Sequence, residues 1–99
     1  MHEVKITVLK KLSNEDLIDK YGKNVKPECD LFKIGEEFIV KDLQMPKGFC
    51  SWAWADIQRD VIVLALGGNF PWVKEEGVMI SSCTDGFRQV IFKLERIKK

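Results

Sequence analysis

Between Ser51 and Leu66 the chain runs sixteen residues, SWAWADIQRDVIVLAL, without a glycine or proline, and Gly67-Gly68 follows at once. Trp54, Ile57, Val61 and Leu64 recur at three- and four-residue spacing, which is the stripe of one helix face. The β-branched run Val61-Ile62-Val63 would also suit a buried strand. Length and the terminating glycines favour a helix. Its second half is apolar all round, so it belongs in the centre of a fold or against a partner chain.

The flanking segments read as strands. Val4 to Leu9 alternates, with Val4, Ile6 and Val8 on one face. A short helix is expected next, capped by Ser13, with Asp16 at its third position and a Leu12–Leu17 staple. Leu17, Ile18 and Tyr21 form its inner stripe, and Gly22 offers a left-handed stop. Residues 22–34 read as loop, Gly35–Lys41 as a second strand, and the stretch to Gly48 as loop. Val78–Cys83 and Phe87–Ile97 flank Thr84-Asp85-Gly86, and Asp-Gly between β-rich runs signals a hairpin. Val90, Phe92 and Leu94 would face inward. The order β-α-β-α-β-β predicts an α+β fold over residues 1–99, a single domain with a mixed sheet packed by two helices and a C-terminal hairpin.

Composition narrows the function. A chain of 99 residues suits one domain. Sixteen basic and fifteen acidic side chains leave a net charge of +1, which gives no electrostatic case for nucleic acid or a membrane surface. The basic run Arg96-Ile97-Lys98-Lys99 reads as a solvated terminus. No apolar leader is visible, and Val61–Leu66, the longest apolar run, is too short to span a bilayer. A cytoplasmic protein with reduced thiols is expected, because its three cysteines form no close pair. The one histidine, His2, lies near the terminus, which argues against Ser-His-Asp or Cys-His hydrolysis.

The residues with chemical potential cluster around the long helix. Cys50 at its start lies beside free N–H groups and the positive end of the helix dipole, which favour a thiolate. Trp52 and Trp54 stand about 200° apart on a helix, so one of them must leave the core. With Phe49, Phe70 and Trp72 they form an aromatic group suited to a pocket or an interface. Asp56, Arg59 and Asp60 share a helix face, as an acid–base pair or as a plain solvated surface. Cys83 and Arg88 flank the predicted turn, with Asp85 between them, and would oppose each other across the hairpin, where a cation beside the thiol favours the thiolate; a plain hairpin is the alternative. Cys29, Cys50 and Cys83 are the candidate metal ligands, with His2 or a foreign group as the fourth. Their spacing is unlike that of zinc or iron–sulfur motifs. Gly67-Gly68 lacks the setting of a phosphate loop.

The pieces Cys29-x-x-Phe32-x-x-Gly35-x-x-Phe38-x-Val40, Gly48-Phe49-Cys50-x-Trp52-x-Trp54-x-Asp56-Ile57, Gly67-Gly68 and Cys83-Thr84-Asp85-Gly86-x-Arg88 together carry a resemblance. The chain resembles one of the uncharacterised TIGR-series repeat families of short Cys/Trp proteins, seen mainly in anaerobic bacteria and archaea. The likeness covers nearly the whole chain. It implies no catalytic residue, substrate or cofactor, but it does imply an oxygen-poor cytoplasm in which exposed thiolates persist. Three readings follow. The first is a binding protein whose site is built from Cys50, Trp52, Trp54, Asp56, Arg59, Cys83, Asp85 and Arg88, for a small ligand or a thiolate-bound metal. The second is a thiol enzyme or redox protein with Cys50 as nucleophile. The third is a homo-oligomeric interaction module built on the tryptophans and Val61–Leu66.

Overall fold

The alternation in the first residues becomes strand β1, Val4–Lys11, with Val4, Ile6 and Val8 buried. The computed structural model describes residues 1–97. It continues with α1 (Glu15–Tyr21), β2 (Glu37–Val40), α2 (Ser51–Ala65), β3 (Val78–Ser82) and β4 (Val90–Arg96). The expected order and the α+β class are both present.

The sheet runs β2-β1-β4-β3, and all three pairings are antiparallel. The expected mixed sheet is therefore corrected. A parallel pair needs a crossover that returns to a neighbouring strand in the same direction. Here α2 carries the chain from one sheet edge, β2, to the other, β3, so it joins strands that never pair. The registers Ile6↔Leu94 and Val8↔Phe92 align the inward residues of the two central strands. An irregularity between Val8 and Lys10 lets β1 run on to Lys11.

One helix packs on this sheet, not two. Ala53, Ile57, Val61, Leu64 and Ala65 of α2 are buried against its inner face. Each large apolar side chain so buried contributes roughly 1.5–3 kcal/mol. The all-round apolar stretch is thus largely used within the chain, where Ile62 and Val63 are half-buried and Leu66 is exposed. By contrast α1 buries no residue. It is only seven residues long, and α2 with Phe32 and Phe49 already fills the inner face. Its cap is Asn14 rather than Ser13 and makes no side-chain cap bond. Asn14 Nδ2 donates instead to the Gly86 carbonyl at 2.7 Å. Gly22 is extended, at φ −76°, and not left-handed. Glycine is needed there for space, since a Cβ would stand 2.7 Å from the Ile18 carbonyl oxygen. At the end of α2 the prediction holds, because Gly67 has φ +90°.

Arg96 is not part of a loose tail. Its guanidinium donates to the Leu64 carbonyl at 3.2 Å and the Gly68 carbonyl at 2.6 Å, satisfying the C-terminal end of α2. Lys98 and Lys99, read above as solvated terminus, lie outside the described residues. The β3–β4 hairpin is present, but its connection spans residues 83–89 rather than a tight Asp-Gly turn. Asp85 Oδ1 instead accepts the Phe87 and Arg88 N–H groups at 2.9 and 3.2 Å, which gives the segment its own Asx turn. Among the described residues no helix is long and apolar enough to cross a membrane.

Candidate ligand cavity

A cavity of about 430 Å³ opens where three segments meet. The stretch before β2 contributes Cys29, Leu31 and Phe32. The start of α2 contributes Cys50, Trp52, Ala53 and Asp56. The β3–β4 connection contributes Cys83 through Arg88.

Each wall is anchored by side-chain contacts. Lys11 Nζ donates to the carbonyls of Cys29 and Phe32 at 3.1 and 3.0 Å, tying the first segment to the end of β1. Phe32 is buried among Phe38, Phe49 and Phe92, with ring centroids 5.0–6.3 Å apart across the cluster that Trp54 completes. Phe49 in that cluster fixes where α2 begins. Cys50 is the residue before its first turn and makes no side-chain cap bond. The third wall is fastened from two sides. The Thr84 N–H donates to Asp56 at 2.8 Å, and the Thr84 hydroxyl donates to the same carboxylate at 3.0 Å. Asn14 holds Gly86 through its side chain, and its backbone N–H donates to the Phe87 carbonyl at 2.9 Å.

The two tryptophans divide as helix geometry requires. Trp54 packs edge-to-face on Phe49 at 6.3 Å, whereas Trp52 is 81% exposed at the cavity. Trp54 is therefore core rather than site. Phe70 and Trp72 pair with each other at 5.3 Å, and Trp72 lines a separate depression beside β3. The expected aromatic group is thus split in two.

Asp56 is brought to the cavity, but its oxygens are engaged by Thr84. Asp60 is buried and accepts the Ser81 hydroxyl at 3.0 Å, joining α2 to β3. Arg59 lies outside the site, with its side chain 85% exposed and 3.5 Å from Asp60. These carboxylates are accordingly fastenings of the fold rather than an acid–base pair. Arg88 does not oppose Cys83. Its Nε reaches Asp85 at 3.4 Å, and the residue opposite Cys83 is Val90.

Cys29, Cys50 and Cys83 do line one cavity, and all three are free thiols. They do not assemble into a metal centre. Among the described residues no group of three His, Cys, Asp or Glu side chains is placed to hold a metal ion. Nor does His2 serve as a fourth ligand. Its backbone N–H donates to the Ala65 carbonyl at 2.8 Å, at the opposite end of α2 from Cys50. A fifteen-residue helix separates those ends by about 22 Å.

Leu31, Phe32 and Phe87 line the cavity but were not among the expected site residues. They sit in segments without periodicity, where the adjacent Leu31-Phe32 and the single Phe87 among polar residues were the only sign. The chain matches no protein-family model, and comparisons with curated proteins and with solved structures found no significant match.

Proposed function

We propose that the protein is a small-ligand binding domain whose site is the cavity between α2, the pre-β2 segment and the β3–β4 connection. The observation that carries this reading is the exposed pair Leu31 and Trp52, standing at a cavity floored by buried Phe32, Ala53 and Val90. A concave apolar surface with a few polar groups at its margin is the usual form of a small-molecule site. Large apolar side chains left in water at its mouth gain burial only when a ligand covers them. The polar groups of the margin are engaged with one another. The favoured ligand is therefore planar and largely apolar, stacked on Trp52.

The test is fluorescence titration with anilinonaphthalene sulfonate, an aromatic probe whose naphthalene ring supplies a planar apolar face and whose sulfonate stays in water. Binding with enhanced emission is expected. Trp52→Ala should weaken it by about tenfold, the size of one stacking contact near 1.4 kcal/mol. Trp72→Ala, which removes another largely exposed tryptophan outside the cavity, should leave it unchanged. Equal losses in the two variants, or no binding at all, would overturn the proposal.

A further inference from the structure

Each wall of the cavity brings one thiol, and the three differ in circumstance. Cys83 is 9% exposed, and its sulfur accepts the Val90 N–H at 3.2 Å. Cys29 and Cys50 are half-buried, and neither sulfur has a hydrogen-bond partner among the described residues. Of these two, Cys50 has the rigid support. It begins a fifteen-residue helix, whereas Cys29 lies in the irregular stretch between α1 and β2. Groups held by regular elements keep a reacting geometry better than groups on loops. Trp52 and Ala53 stand two and three residues after Cys50, and all three line the cavity, so a ligand that fills it meets both the tryptophan and Cys50.

We infer that the cavity is a thiol-exchange site for apolar aromatic disulfides, with Cys50 as the attacking sulfur; this rests on the small-ligand reading above. Cys50 gives its proton to water. Its sulfur then bonds to one sulfur of the ligand, the ligand S–S bond breaks, and the other half departs as a thiolate with the electron pair. Cys50 is thereby oxidised to a mixed disulfide while half of the ligand is reduced, and no other co-reactant enters. Cys83 stays outside this chemistry because it is covered and its sulfur is already engaged.

The experiment mixes the reduced full chain with dithiodipyridine and follows thiopyridone release by stopped-flow absorbance. Peptide mass spectrometry then locates the adduct. One equivalent should be released at least about tenfold faster than the rest, because binding in the cavity makes the attack effectively intramolecular. The fast adduct should lie on Cys50 and vanish in Cys50→Ser, whereas Trp72→Ala, outside the cavity, should keep the fast phase. Loss of the fast phase in Trp72→Ala, a fast adduct on Cys29 or Cys83, or three equal rates would overturn the inference. If Cys50→Ser fails to fold by circular dichroism, adduct mapping in the unsubstituted protein decides. Bipyridine, which lacks the S–S bond, separates the two claims through tryptophan fluorescence. Binding of bipyridine without a fast phase removes the thiol chemistry alone, and failure of both removes the small-ligand reading with it.

Discussion

At the scale of single residues, the side chains that matter most join segments remote in sequence. Arg96 joins the last strand to the end of α2, and its bonds to the Leu64 and Gly68 carbonyls are charge-assisted. Arg96→Met keeps the apolar stem but removes the charged donor from both carbonyls, of which, among the described residues, only that of Leu64 keeps a second donor, the Gly67 N–H at 3.0 Å. It should lower the unfolding free energy by roughly 1–3 kcal/mol, read as a shift in urea midpoint at unchanged slope. Asp30 shows a different economy. A hydrogen bond from Lys26 Nζ at 2.6 Å, and then the charge of the same ammonium, hold its carboxyl below the usual carboxylate range. A depressed folded-state value means that the pair contributes above the unfolded pKa, and the contribution fades as pH falls through the folded value. The group is fully exposed, so carboxyl NMR is the appropriate readout. Lys26→Met should raise the Asp30 midpoint toward the ordinary value.

At the scale of elements, α2 shows how far a periodic pattern can be read. Ile57, Val61 and Leu64 were legible as a buried stripe from spacing alone, because burial on one side of a helix imposes that spacing. The division of Trp52 from Trp54 was legible as a necessity of angle, but not which of them would be buried. That depended on Phe49, fixed in place by aromatic contacts across the sheet. Trp54→Ala should therefore cost about 2–4 kcal/mol of stability, while Trp52→Ala should change it by less than about 0.5 kcal/mol. Chemical denaturation of the two variants measures both. The first helix was misjudged for a matching reason. Capping and stop signals report where a helix begins and ends, not whether a face of the sheet remains for it to cover.

At the scale of the whole molecule, the first and last strands lie side by side in the centre of the sheet. Their pairing closes nearly the full length of the chain and lies between the two outer strands, with its inward residues buried. Hydrogen exchange should find the slowest amides in the β1–β4 ladder, opening only with global unfolding. The backbone bonds Arg96 N–H to the Gly77 carbonyl and Cys83 N–H to the Val90 carbonyl set the parity of the outer hairpin. The N–H groups of Val78, Ile80 and Ser82 therefore point away from β4, at the sheet edge. They should exchange much faster than those of Met79 and Ser81. Equal protection along β3 would mean that the edge is covered by another chain.

The sequence by itself determined the order of elements, the inward faces of β1 and β4, and the buried stripe of α2. All three follow from periodicity, a property of consecutive residues. Only the tertiary structure decided that the sheet is wholly antiparallel, that α1 stays outside the core, and that Cys29, Cys50 and Cys83 share one cavity without forming a metal centre. Those outcomes depend on which strands neighbour one another and on where irregular segments are tied. Lys11, Asn14 and Asp56 do that tying through bonds to partners 18 to 72 residues away. No local pattern records such a bond, because its energy exists only when the two distant segments have already met.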